Sequence, residues 1–464
     1  MSDLAFQKCI NTACGASYGI EEVHHRCPAC GELLDVAYEW DRLEVPGALS
    51  YFESKWERRA EPLCFSGVWR FGELLPFALP ETRVTIGEGQ TLLRRCRPAA
   101  EFTGMKPERL FLEYEGMNPS GSFKDNGMAG AFTHAKMVGA AVAACASTGN
   151  TSASMAAFAS ATGALTPVIF VGGGKIALGK LSQALDFGGR TFEIKGDFDD
   201  AMARVQEVSV ERGIYLMNSL NPFRLEGQKC IMYRILEGLR WQVPDWIIVP
   251  GGNLGNSSSF GKAFMELVEL GLIDRAPRIC IVNAAGADTL DRIVNDEKLA
   301  WNGSQYDRER VKSFYEQMDA EGRSAHTLAS AIEINRPVNL SKALRAIDVT
   351  DGKVLKVTDE EILDAKAVIA RGGLGCEPAS AATVAGLKKL VESQTVSPDD
   401  LVACVLTGHQ LKDPNATVGY HSGKGPDREK LAKYGVEKTR YANAPVPVEN
   451  SLEAILEALE KMEG

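Results

Sequence analysis

Between residues 109 and 408 the chain alternates short apolar runs with longer amphipathic stretches. The runs are RLFLEYEG near 109, TPVIFVGGG near 166, TFEIKG near 191, IYLMN near 214, DWIIVPGG near 245, RICIVNAAG near 278 and LVACVLTG near 401. Short runs rich in Val, Ile and aromatic residues and closed by Gly or Asn read as strands. The segments between them, such as SFGKAFMELVELGL at 259–272, carry apolar residues at helical spacing. Strand and helix in alternation predict repeated βαβ units, hence an α/β fold with parallel sheets. The closing segment SLEAILEALEKM has Leu and Ile at helical spacing and predicts a helix docked on the surface.

Residues 1–40 follow a different pattern. Cys9 and Cys14, then Cys27 and Cys30, form CxxxxC and CPxC knuckles, each closed by a glycine directly after its second cysteine. Four thiolates on two such turns can complete a tetrahedral zinc site, and glycine permits the tight turns. A unit of about 40 residues has little core of its own, so a zinc-ribbon-like head folded around a structural zinc is predicted. His24 and His25 then read as loop residues, because four cysteines fill the coordination sphere. The other seven cysteines lie scattered, mostly in apolar runs, and read as reduced core residues.

Composition narrows the function. The 464 residues are 45% hydrophobic and 24% charged, ordinary for a multidomain globular protein. A net charge of -10 without long basic runs argues against nucleic-acid binding. No stretch approaches the roughly 20 apolar residues that span a bilayer, and the start has no secretory pattern. No membrane association and a cytoplasmic location are therefore expected.

Four segments carry chemistry. EGMNPSGSFKDNGM, Glu115 to Met128, delivers Lys124 from a turn just before a helix; from position alone it could be a phosphate clamp, a Schiff-base nucleophile or an exposed loop lysine. PGGNLGNSSSFGKAF, Pro250 to Phe264, places glycines and asparagines between a strand and a helix, where backbone N–H groups and the helix dipole suit an anion. It lacks the Lys and Ser/Thr of a nucleotide P-loop and the spacing of a dinucleotide fingerprint, which favours a small phosphorylated cofactor; a ligand-free turn is the alternative. CASTGNTSASMAAF, Cys145 to Phe158, offers Ser147, Thr148, Asn150 and Thr151 either to a carboxylate or as helix caps. In LTGHQLKDP, Leu406 to Pro414, Thr407 ends an apolar strand.

Together with NSLNPFRLEGQK and GCEPASAA, these blocks resemble, in order and spacing, the fold type II family of pyridoxal-phosphate enzymes over residues 80 to 415. The resemblance implies that Lys124 bears pyridoxal 5'-phosphate as a Schiff base. It implies that Asn150 meets the ring hydroxyl oxygen, that Gly252, Asn253, Leu254, Gly255 and Asn256 hold the phosphate, and that Thr407 faces the ring nitrogen. Asn218, Ser219 and Arg224 would surround the phosphate of the substrate O-phospho-L-homoserine, with Ser147, Thr148 and Thr151 around its other groups. Arg224 could instead pair with Glu226 or another acid. The implied reaction is a γ-elimination and β-addition that yields L-threonine and phosphate. Related lyases acting on serine, threonine or phosphoserine, and a noncatalytic regulatory relative, are the competing readings. Asn126 and Gln410 depart from the family pattern. Glu377 in GCEPASAA could support the cofactor ring but is expected to cap the helix that begins near Pro378. The expected domains are the head at 1–40, a large one from 41–120 and 225–464, and a small one at 121–224, in a homodimer with the cofactor in the cleft between them.

Overall fold

The computed structural model describes residues 4–463 apart from 174–177, 197, 304 and 423–424. Gly174, the last glycine of the run near 166, lies outside the described residues. The apolar runs form three sheets. In the head, β1 (Ala5–Cys9), β2 (Ser17–Gly19) and β3 (Leu34–Tyr38) pair antiparallel in the order β2-β1-β3. The largest sheet combines β4 (Leu92–Arg95), β5 (Leu110–Tyr114), β10 (Trp246–Pro250), β11 (Arg278–Ala284), β12 (Lys353–Val357) and β13 (Val402–Leu406), in the order β12-β11-β10-β13-β5-β4. All its pairings are parallel except that of β4, on the edge. A four-stranded parallel sheet, β8-β7-β6-β9, consists of β6 (Val142–Ala146), β7 (Thr166–Gly172), β8 (Arg190–Ile194) and β9 (Tyr215–Leu216).

The α/β fold with parallel sheets is as the alternation predicts. Every residue of WIIVP in β10 and VACVL in β13 is buried, the signature of central strands covered on both faces. In this sheet the sequence reading missed the edge strand β4 and also β12. The run KVLKV of β12 carries two lysines in five residues and the run LLRR of β4 two arginines in four, so their apolar positions are too few to stand out.

The helices used below are α1 (Lys124–Met137), α2 (Asn150–Thr162), α3 (Pro222–Gly238), α4 (Gly255–Glu269), α5 (Leu340–Val349), α6 (Pro378–Glu392) and α7 (Leu452–Glu463). α3 is buried from Pro222 to Leu236, which is why its sequence lacks a clean polar face. Asn221 caps it, accepting from the N–H of Phe223 (3.0 Å) and Arg224 (3.3 Å), and Pro222 occupies the first helical position. α7 departs from expectation. Instead of docking, it leaves Leu452, Ile455, Leu456 and Leu459 between 45% and 71% exposed, because no groove of the described chain receives its apolar stripe. All seven scattered cysteines are buried and unbridged, as predicted.

The head has a small apolar cluster of its own at Cys9, Cys27 and Leu34, while its Ala5, Ile10, Ile20, Leu33, Val36 and Tyr38 join the main core of the body. Polar contacts add to this packing. Tyr38 donates to Glu226 (2.6 Å), which with Glu266 receives the buried ammonium groups of Lys229 and Lys262 at 2.5–2.7 Å. Asp35 pairs with Lys342 (2.9 Å) and Arg345 (2.7 Å) of α5. His134 of α1 lies 3.4 Å from the Phe223 ring, stacked on it, and hydrogen-bonds the carbonyl of Ile20 (2.6 Å) and the hydroxyl of Tyr215 (2.7 Å).

Candidate active site

β6 ends at a cavity of about 460 Å³, and β10 and β13 end at a recess beside it, where ligands of open α/β sheets bind. The recess, of about 50 Å³, shares Lys124, Ser219, Arg224 and Asn253 with the cavity wall. Lys124 starts α1 from a turn whose closure explains the motif before it. Asp125 accepts from Ser120 N (2.7 Å) and Oγ (2.6 Å), and from the Ser154 hydroxyl of α2. Gly121 takes φ +81°, which only glycine adopts freely, and Phe123 N donates to Thr407 O (2.9 Å). The lysine loop is thereby sewn to the end of β13. Burial and the nearby Arg224 push the Lys124 ammonium well below its usual range, against a smaller opposing pull from Glu377. Burial thus favours the uncharged amine over the ammonium.

The recess is the glycine loop. Leu254 stands in the left-handed region at φ 62°, turning the backbone so that α4 points its first N–H groups, which lack partners within the helix, into the recess. A Cβ on Gly252 would lie 2.9 Å from the carbonyl of Ala331, so a side chain there would close the space. Asn253 O accepts from Asn339 N (3.2 Å) and Nδ2 (3.2 Å), and Gln228 donates to Asn256 Oδ1 (2.6 Å). The loop is held from behind, and its donors face an anion-sized space.

Arg224 is 2% exposed, and no carboxylate pairs with it among the described residues. It donates to Met217 O (2.7 Å) and Thr151 Oγ1 (3.3 Å), while its Nε finds no partner. Burial lowers its pKa to about 10. The alternative pairing with Glu226 does not occur, because that carboxylate is taken by Lys229 and Lys262. A fully buried guanidinium with spare donors, lining a cavity, is arranged for an anion from outside.

All fourteen residues that the resemblance pointed to for cofactor and substrate line the cavity or its recess: Ser147, Thr148, Asn150, Thr151 and Asn218 around the main space, Gly252, Leu254, Gly255, Asn256 and Thr407 in the recess, and Lys124, Ser219, Arg224 and Asn253 in both. Asn218 is largely engaged, since its amide exchanges two 3.0 Å bonds with the backbone of Ala146 and thereby fixes the start of the Ser147–Thr151 loop.

Glu377 corrects the expectation that it caps α6. Its backbone does stand at the cap position, but its side chain makes no cap hydrogen bond and turns into the site. Both its oxygens accept from Asn150 Nδ2 (3.1 and 3.3 Å), and Oε1 accepts from Thr407 Oγ1 (3.2 Å). Lys412 and Glu333 also line the cavity without having been foreseen. Lys412 lay inside the quoted LTGHQLKDP, but nothing in the sequence aimed it inward; Glu333 sits in a stretch with no motif. Asn126 finds its reason in a buried network, donating to Glu115 (2.6 Å) and accepting from Arg234 (3.0 Å).

In the head, the four cysteine sulfurs lie within 4.8 Å of one another, with Cys9–Cys30 at 3.5 Å and Cys14–Cys27 at 3.8 Å. These spacings suit a tetrahedron with metal–sulfur bonds of about 2.3 Å.

A buried lysine whose uncharged form is favoured, beside a recess lined by a glycine-rich loop at the carboxyl ends of a parallel sheet, is a setting suited to a phosphorylated aldehyde. The chain belongs to the pyridoxal-phosphate dependent enzyme family, which it matches over residues 84–408. Within that family its relatives are threonine synthases. It is 41% identical over 413 residues to the threonine synthase of Methanocaldococcus jannaschii, covering 89% of this chain and 94% of that one. To threonine synthase 2, chloroplastic, of Arabidopsis thaliana it is 33% identical, covering 96% of this chain and 82% of that one. The fold is shared more widely: maize serine racemase superposes with a TM-score of 0.53 at 18% identity, over 78% of this chain and 93% of that one. A threonine deaminase isoform of Solanum lycopersicum does so with 0.55 at 16% identity, over 84% and 95%. No helix among the described residues is long and apolar enough to cross a membrane.

Proposed function

We propose that the cavity converts O-phospho-L-homoserine and water to L-threonine and phosphate. The observation that carries this reading is Arg224, a buried cation with an unspent donor in the same cavity as Lys124 and with no carboxylate paired to it among the described residues. The recess takes the cofactor phosphate on the backbone N–H groups of Gly252 to Asn256, so the site has provision for two phosphates. Asn150 and Thr407, whose side chains meet at Glu377, stand where a planar ring between Lys124 and the recess would be gripped at its edge. Pyridoxal 5'-phosphate bound there supplies an electron sink for charge developing on the substrate carbons.

The chain supplies the rest. Lys124, kept neutral, removes the proton at the substrate α-carbon and then one at the β-carbon, and returns protons later in the sequence. Arg224, Ser219 and Thr151 hold the substrate phosphate; charge-assisted bonds there favour the departing dianion. Ser147 and Thr148, with the N–H groups at the start of α2, take the substrate carboxylate. Water then adds at the β-carbon. In the head, Cys9, Cys14, Cys27 and Cys30 hold a structural zinc, remote from this chemistry. The working form is a cytoplasmic homodimer, to be checked by sedimentation.

The test is to supply purified holoenzyme with O-phosphohomoserine, O-phosphoserine and L-threonine in turn and to measure phosphate, amino acid and oxoacid. Equimolar phosphate and threonine from the first substrate alone is expected. Phosphate without threonine, or oxoacid from threonine, would assign the site to a different lyase.

A further inference from the structure

Glu377 is a buried carboxyl in contact with both side chains that the proposed reading sets against the cofactor ring. Its place is built deliberately. Its N–H donates to Gly408 O (3.0 Å), and a Cβ on Gly408 would come within 2.6 Å of Oε1, so only glycine leaves room for the carboxyl. Ser380, one turn into α6, accepts from Gly408 N (3.1 Å) and lies 3.0 Å from Thr407 Oγ1. Thr407 therefore sits between Ser380, Glu377 and the space for the ring.

A threonine hydroxyl has one proton to give. If Glu377 is ionised, that proton is drawn to Oε1, and Thr407 shows the ring only lone pairs, which suits a protonated ring nitrogen. If Glu377 is protonated, Oε1 can donate to Thr407, and the threonine proton is free to turn to an unprotonated nitrogen. Asn150 tolerates both states, because the other carboxyl oxygen accepts from its amide and its second N–H stays available.

We propose that Glu377 carries a proton in the working enzyme and donates it to Thr407 Oγ1, turning the threonine hydroxyl toward the ring nitrogen as a donor. The carboxyl keeps its O–H bond throughout, so only the direction of two hydrogen bonds is set. Glu377 is thus a positioning residue. Burial, which raises its pKa, outweighs the hydrogen bonds from Asn150 and Thr407 and the pull of the two lysines facing it, Lys412 beyond β13 and Lys124 at the head of α1. The inference rests on Thr407 facing the ring nitrogen, and the experiment separates the two.

Holoenzyme is reconstituted with cofactor labelled with 15N at the ring nitrogen, and its chemical shift is recorded at pH 7 for wild type, Glu377→Gln, Glu377→Met and Thr407→Val. The Gln amide can donate to Thr407 and accept from Asn150 just as the protonated acid does, so Glu377→Gln is expected to keep the wild-type shift. Glu377→Met can do neither and is expected to move it in the same direction as Thr407→Val. A shift in Glu377→Gln as large as that in Thr407→Val would mean the carboxylate is required and overturns the proposal, as would a Glu377→Met spectrum identical to wild type. Should Glu377→Met not fold, Glu377→Gln decides alone. No change in Thr407→Val would instead remove Thr407 from the ring, which is a failure of the site reading.

Discussion

Arg224 and Lys229 lie about one and a half turns apart on the same buried helix, yet they meet opposite conditions. Lys229 is enclosed by Glu226 and Glu266, which hold its ammonium charged in spite of burial, and the cluster is completed by Lys262 and by Tyr38 of the head. Arg224 has backbone and hydroxyl partners but no acid, and burial pulls its pKa down. At the head junction, charges answer one another and fix a joint. At the cavity, charge is left for something to arrive. Buried cations thus mark a ligand site only when their counter-charges are missing, a distinction that burial alone does not make.

The comparison breaks most visibly at Lys124. Replacing it with Ala removes the proposed base, and phosphate release from O-phosphohomoserine should fall at least about 10³-fold. The melting temperature should change little, since Lys124 has no ion pair among the described residues. The visible absorbance of bound cofactor should vanish in the same sample.

The next largest effect is expected in the head. Removing its metal with a strong chelator should unfold the two cysteine knuckles, because the small cluster around them cannot replace metal–sulfur bonding, while the strands packed on the main core are held longer. Loss of head protection in hydrogen exchange, with the strands of the largest sheet still protected, is the outcome to look for. Uniform retention of protection would mean that the sulfurs do not depend on a metal.

Lys229→Met tests the closed cluster itself. It leaves two buried carboxylates with one ammonium, and breaking such a set costs about 3–5 kcal/mol, measurable by denaturant unfolding. A variant as stable as wild type would show that the joint is held by packing alone.

His134 sharpens the same joint through pH. Desolvation lowers its pKa from 6.5 to about 4, so the folded state holds the ring neutral, donating to Ile20 O and accepting from Tyr215. Between those values the unfolded chain binds the extra proton, so this contribution is complete above about pH 6.5 and is lost as pH falls toward 4. The shift corresponds to about 3 kcal/mol. Unfolding measured at pH 7.5 and 4.5 should show a steeper acid loss in wild type than in His134→Phe.

The smallest effect is expected for Arg224→Lys, which keeps the charge and loses the planar fork. It should raise KM for O-phosphohomoserine about 10- to 100-fold with little change in stability.

How far the sequence reaches differs between these regions. The strands of WIIVP and VACVL type and the cysteine knuckles were legible, because each is a contiguous run or a motif whose neighbours in the chain are its neighbours in space. The fourteen expected cavity residues came from the family resemblance, which left out Lys412 and Glu333. The Tyr38–Glu226–Lys229–Lys262–Glu266 cluster was not legible, since its members come from the head and two helices, and nothing in a run of mixed charge states which pairs will close. Glu377 was misread for a related reason. Its position before Pro378 marks a helix start correctly, but the direction of its side chain is set by Gly408, thirty-one residues further on. α7 failed differently: its spacing truly describes an amphipathic helix, while burial depends on a receiving surface that spacing cannot show.

α3 has a consequence of its own. Arg224 serves the cavity, Glu226 and Lys229 serve the head, and Arg234 reaches Glu115 and Asn126 beneath the lysine loop. Each residue added to or deleted from a helix rotates everything beyond it by about 100°. A single insertion after Asn221 would therefore swing all three faces off their targets together, whereas substitutions disturb them one at a time. The length of this segment should be among the least negotiable dimensions of the protein, and sequence drift along it should run entirely through replacement.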